Sequence, residues 1–175
     1  QNPEEFANYF GAKVWRVPMR VRGNGAVSLF LNYLSFAISA CLLGPFRLSG
    51  QQADVIFVFE PSPITVGLPA LLLGRIKRAP IVFWVLDLWP ETLTAIGAVK
   101  SPMLLRWIGY MVKFIYERCT LVLGQSKSFL VSIAKYCSET QKIRYFPNWS
   151  EEVLNISDVL PAPELTEGRD LFTVL

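Results

Sequence analysis

The sequence predicts a parallel α/β domain whose sheet is covered by helices on both faces. Three observations predict it. Residues 81–86, Ile-Val-Phe-Trp-Val-Leu, run unbroken and apolar between Pro80 and Asp87. A run of that length, rich in β-branched and aromatic types, reads as a strand buried on both faces. Residues 55–59, Val-Ile-Phe-Val-Phe, repeat the pattern between Asp54 and Glu60. Segments of helical spacing separate such runs, and strands alternating with helices build parallel sheets with right-handed crossovers.

Composition narrows the chemistry. The 175 residues suit one domain, or a domain and the start of another. Hydrophobic residues make up 52% and mean hydropathy is +0.36, so both sheet faces are covered or a membrane is near. There is no His. That excludes Ser-His-Asp and Cys-His catalysis and the usual His-containing zinc sites. Cys41, Cys119 and Cys137 are widely spaced, an odd number without a framework, and read as reduced, buried thiols. The polar start shows no signal-peptide pattern and no Met, so the chain is expected to be a piece of a longer one. Residues 1–150 hold 16 Lys/Arg and 8 Asp/Glu, net +8, whereas 151–175 hold 1 and 6, net −5. A basic body attracts phosphate or an anionic membrane face; an ordinary solvated surface explains the same count.

In chain order, Asn2-Pro3-Glu4-Glu5 reads as a helix start and Gly11 as its stop. Residues 13–17 read as a strand. Arg20-Val21-Arg22-Gly23-Asn24-Gly25 is a basic loop without the GxGxxG spacing. Arg20 and Arg22 are candidate contacts for phosphate or lipid headgroups; a flexible turn is the plainer reading. Residues 26–44 carry no charge and just reach spanning length. Phe30, Leu34, Ala37, Ile38, Cys41 and Leu42 follow helical spacing, and Ser28, Asn32, Ser35 and Ser39 interrupt the rest. A mostly buried helix, touching a membrane surface at most, is preferred to a span.

After the strand ending at Glu60, Ser62-Pro63 caps a helix that ends in Gly74-Arg75-Ile76-Lys77-Arg78. Cations at a helix carboxyl end are favoured by the dipole. Pro90 and Glu91 open a short helix stopped by Gly97, and Ser101-Pro102 starts a longer one. Leu104, Ile108, Met111, Val112, Ile115 and Cys119 form its apolar face; Arg106, Tyr110, Lys113 and Glu117 form the other. A strand at 120–124, a helix at 127–136 and a strand at 142–146 follow. Residues 1–150 thus form the domain, 151–170 an acidic linker with Pro161 and Pro163, and 171–175 the first strand of a further domain.

Ligands of open α/β sheets sit outside the carboxyl ends of the strands. Those ends carry Glu60 and Ser62, Asp87 with Trp89 and Glu91, Gln125 with Ser126, and Asn148 with Trp149. Ser62 and Ser126 are also natural helix caps. Glu91 suits a first helical turn for dipole reasons. Asp87 has the weakest structural explanation, because a capping Asp would stand next to Pro90.

Asp87-Leu88-Trp89-Pro90-Glu91, with Glu60-Pro61-Ser62-Pro63, Gly124-Gln125-Ser126, Pro147-Asn148-Trp149-Ser150 and Leu31-Asn32-Tyr33-Leu34-Ser35-Phe36, resembles the amino-terminal domain of GT-B glycosyltransferases of the family-4 type. The nearest likeness is to the O-antigen and capsular polysaccharide branch, including N-acetyl-L-fucosamine transferases, and covers most of residues 12–152. The resemblance implies one Rossmann-like half of a two-domain enzyme. This half holds a saccharide acceptor carried on a polyprenyl diphosphate and faces the membrane. The other half holds the nucleotide-sugar donor. It implies retaining transfer without a metal or cofactor, with no nucleic-acid partner, at the inner face of the cytoplasmic membrane.

On that reading Asp87 and Glu91 are catalytic, and Glu60, Ser62, Trp89, Gln125, Ser126 and Asn148 bind the acceptor. Many relatives carry a His near the position of Asp87, so its role here rests on its place at the strand end. The family's first strand with its glycine-rich loop is not visible in the chain, and neither is the donor domain, so the piece alone is expected to transfer no sugar. Two other readings compete. One is a membrane protein spanning at residues 26–44. The other is a non-catalytic nucleotide-binding α/β domain, which the missing GxGxxG and P-loop patterns disfavour.

Overall fold

The computed structural model describes residues 8–9 and 11–149. The expected linker at 151–170, the strand at 171–175 and most of the first helix lie outside them. Where that helix was expected to continue, Asn8–Tyr9 (β1) instead pairs antiparallel with Ala12–Lys13 (β2). Gly11 makes the turn between them at φ 83°. Residues 14–17 form no strand; they run beside the first long helix, where Arg47 donates a 2.7 Å hydrogen bond to the Arg16 carbonyl.

That helix is Ala26–Arg47 (α1). The rest of the fold is Ile56–Glu60 (β3), Gly67–Lys77 (α2), Ile81–Val85 (β4), Glu91–Ala95 (α3), Pro102–Arg118 (α4), Leu121–Gly124 (β5), Lys127–Ala134 (α5) and Ile143–Tyr145 (β6). The four strands β3 to β6 lie side by side in chain order, all parallel. The chain is therefore a parallel, Rossmann-like α/β domain, as its sequence predicts.

Sequential order has a geometric consequence. Right-handed crossovers that always step the same way put every connecting helix on one face. Register confirms it. Val58, Phe83, Val122 and Ile143 form one row across the sheet. Phe83 meets Tyr116 of α4 at 5.8 Å between ring centroids, and a Cβ at Gly67 of α2 would stand 3.1 Å from Phe83. A Cβ at Gly124 would meet Leu130 and Ile133 of α5. Phe83, Val112, Ile115, Val122 and Ile133 are fully buried there. Among the described residues, then, the helices that touch the sheet occupy one of the two faces expected to carry them.

The other face is closed by aromatic rings. Trp84, 2% exposed, is ringed by Phe57, Phe59, Phe146 and Trp149, and its indole N–H donates to the Phe146 carbonyl at 3.1 Å. β4 is dry on both sides as expected. β3 is not: Phe57 and Phe59 are each half exposed, because β3 is an edge strand whose outward rings lean on Trp84.

Two helices depart from expectation. α1 runs past Gly44 through Pro45 to Arg47, and it is not mostly buried. It packs on α2 and the turn before α2, and its buried residues, Asn32, Ala37 and Ala40, are small or polar. The stripe Phe30, Leu34, Ile38 and Leu42 points outward. Its polar interruptions have another use. Ser35 Oγ accepts from the Arg20 amide, Ser28 Oγ accepts from the Gly23 amide, and Asn32 Nδ2 donates to the Arg20 carbonyl. They fasten the preceding segment along the helix. In α4, Ser101 caps as expected and Val112, Ile115 and Cys119 are buried, but Leu104 is exposed and Tyr116 is buried in its place.

Candidate functional site

The site gathers at the carboxyl edge of the sheet. β4 ends at Val85, and the chain turns through Asp87 into α3. The Trp89 indole N–H donates to Asp87 Oδ2 at 3.0 Å, and the Thr92 hydroxyl donates to Oδ1 at 2.6 Å. Asp87 therefore has a structural task that its sequence position did not reveal: it ties the strand exit to the first turn of α3. The carboxylate stays half-buried. Each oxygen retains a lone pair, so Asp87 can be held from behind and still accept a hydrogen bond in front. Thr92, missed from the sequence, follows no spacing that flags it.

The next strands continue the polar edge. Gln125 follows β5 and donates from Nε2 to the Leu86 carbonyl at 3.0 Å. Asn148 follows β6 and donates from Nδ2 to Gln125 Oε1 at 2.7 Å. The strand exits of Asp87, Gln125 and Asn148 are thus linked side by side. Ser126 takes its capping role, accepting from the Phe129 amide at 3.3 Å, and it shares a 2.8 Å hydrogen bond with Ser128. Ser62 caps nothing: a short 3-10 turn, Ile64–Val66, intervenes before α2. Ser62 has φ 146°, a backbone strain of the sort that collects at functional sites. Arg20 and Arg22 are exposed on the segment fastened to α1.

Two expected acceptor contacts need correction. Glu60 is fully buried, and Trp89 is 7% exposed within the core, edge-on to Tyr33 at 6.1 Å. Neither offers a surface to a ligand. Glu60 lies on the helix-covered face of β3, in the row after Val58, which hides it. Trp89 instead holds Asp87 through its indole N–H.

Beneath the edge lies a second polar layer. Neither oxygen of Glu60 has a hydrogen-bond partner among the described residues, and the same holds for Thr65 Oγ1, Glu91 Oε2 and the Tyr116 hydroxyl, all buried. Burial pushes the Glu60 carboxyl from 4.5 up to about 9, and the charge of Asp87 adds to the rise. The nearby amides of Asp87 and Leu86 oppose it without overcoming it. Glu60 is therefore a neutral acid at neutral pH, held so first by its burial. Burial, then the charges of Glu60 and Glu91, push the Tyr116 phenol well above 10. Glu91 reaches forward, 3.7 Å from Lys135 just after α5. Among the described residues no three His, Cys, Asp or Glu gather closely enough to hold a metal ion.

The chain matches no protein-family model, and no curated protein matches it.

Proposed function

We propose that the chain is the acceptor-side half of a GT-B glycosyltransferase that extends a bacterial surface polysaccharide. The sugar comes from a nucleotide-sugar donor held by a second domain. It passes to a saccharide carried on a polyprenyl diphosphate. One observation carries the reading. Asp87 stands at the carboxyl edge of a parallel sheet, braced by Trp89 and Thr92, beside the linked amides of Gln125 and Asn148. A saccharide hydroxyl must be oriented before it attacks, and a braced carboxylate flanked by side-chain amides suits that task. Asp87 orients the hydroxyl. In retaining chemistry of this kind the donor phosphate can take the proton, so a base role for Asp87 is secondary. Glu91 positions the acceptor from the first turn of α3.

The exposed stripe of α1 supports a place on a membrane surface. The helix has 22 residues, and only 17% of its most apolar window is buried. Lying flat suits it better than spanning, because a span would break the bonds of Ser28, Asn32 and Ser35 to the 20–23 segment and the packing of Ala37 and Ala40 on α2. Arg20 and Arg22 then face anionic headgroups at the inner face of the cytoplasmic membrane.

The test is titration of the chain with a short-chain, water-soluble polyprenyl-diphosphate saccharide, followed by calorimetry. Saturable binding that Asp87→Ala weakens at least tenfold supports the reading. Binding indifferent to Asp87, or absent, overturns it.

A further inference from the structure

The opposite edge of the sheet holds a groove that the proposed reaction does not use. It lies between α2 and α4, has a volume of about 570 Å³, and opens beside Ile81 and Thr120 at the amino ends of β4 and β5. Leu68, Leu71, Leu72 and Phe114 make its apolar wall, Arg75 and Arg118 also line it, and no acidic side chain does. Arg118 lies 3.7 Å over the Phe114 ring and donates one N–H to the Phe114 carbonyl at 3.0 Å. Its other guanidinium donors remain for a ligand. Arg75 has no hydrogen bond or ion pair among the described residues. The helix dipole accounts for a cation at the end of α2. Arg118 likewise stands in the last turn of α4, so the dipole places both cations, and what it leaves unexplained is the apolar wall they share.

The outer face of α4 continues the pattern. Met103, Trp107, Tyr110 and Phe114 stand at i, i+4, i+7 and i+11 and are 70%, 66%, 58% and 44% exposed. Trp107 and Tyr110 touch edge-on at 6.1 Å. Arg106 and Lys113 stand exposed among them. Aromatic rings mixed with cations on one helix face are the composition of a membrane interface, where rings sit at headgroup depth and cations meet lipid phosphates.

We infer that the α2–α4 groove binds an anionic phospholipid. Its acyl chain lies along Leu68, Leu71, Leu72 and Phe114, its phosphate lies between Arg75 and Arg118, and the α4 aromatics sit in the headgroup layer. Charge complementarity selects a lipid over a second copy of the chain, since a basic face repels itself. The site does not rest on the sugar-transfer reading and is separate from the α1 contact.

The experiment is co-sedimentation of the full chain with phosphatidylcholine vesicles, with and without phosphatidylglycerol. Titration with dihexanoyl-phosphatidylglycerol below its micelle concentration, and with inorganic phosphate alone, accompanies it. The double variant Arg75→Gln/Arg118→Gln should lower partition onto anionic vesicles roughly 30-fold, the scale of two cations at such a surface. It should abolish binding of the soluble lipid. The charge-matched double variant Lys100→Gln/Lys127→Gln, at the other edge, should leave soluble-lipid binding intact. Phe114→Ser should weaken the lipid with both arginines present, and thermal melts check that each variant folds. Equal loss in both double variants overturns the site in favour of general charge attraction. Phosphate binding as tight as the lipid overturns the acyl contact. A mass that doubles with concentration and falls in Phe114→Ser assigns the groove to a second copy instead.

Discussion

Glu60→Gln isolates the buried acid beneath the site. The change keeps the side-chain shape and removes its titration. The wild-type carboxyl is fully buried and pushed from 4.5 up to about 9, first by desolvation and then by Asp87. Between those limits the native protein holds a proton that the unfolded chain has released. The folded pKa is the raised one, so this stabilisation is complete below pH 4.5 and is lost as the pH rises through about 9. The slope is about 1.4 kcal/mol for each pH unit. The loss is then about 3 kcal/mol by pH 7 and about 6 kcal/mol at the upper limit. For a chain of this size, 3 kcal/mol moves Tm by about 6–12 °C. Urea and thermal unfolding of both proteins from pH 5 to 9 read it directly, because other titrating groups cancel in the difference. The variant should gain steadily on the wild type as the pH rises. A difference that stays flat across the range would refute the reasoning and mean that water reaches Glu60.

Asp87→Asn places an amide N–H against one of two donors, so the melt should fall by about 1–3 kcal/mol. In the complete enzyme, turnover at saturating donor and acceptor should fall about a hundredfold or more. Thr92→Val, which frees one Asp87 oxygen without removing charge, should cost less of both; equal turnover loss in the two variants would mean that bracing alone matters. Gly67→Ala drives a Cβ to 2.6 Å from Ile115 Cγ2 and should destabilise by about 1–3 kcal/mol in urea; an unchanged midpoint would mean the contact of α2 with α4 yields. Cys119 and Cys137 are buried, and burial pushes the Cys119 thiol up to about 12. A thiol reagent at pH 8 should therefore reach Cys41 first and the other two only on unfolding.

Local pattern was enough for the four strands of the parallel sheet and the edge they share. An apolar run bounded by Pro80 and Asp87 has few ways to bury itself, and chain order then puts Asp87, Gln125 and Asn148 at one edge, where the structure has them. Caps at Ser101 and Ser126 were legible because they bond within three residues. Which faces those elements hide was not legible. Helical spacing marks a stripe on α1, yet of that stripe only Ala37 is buried, beside Asn32 and Ala40, while Phe30 and Leu34 stay outside, because a close helix approach favours small side chains over large ones. The same holds within the site. Glu60 and Asp87 both end apolar runs, but only tertiary register decides that Glu60 points under the helices as a neutral acid while Asp87 stays half-buried at the edge. Sequence sets periodicity and local bonds; desolvation depends on what arrives from elsewhere in the chain.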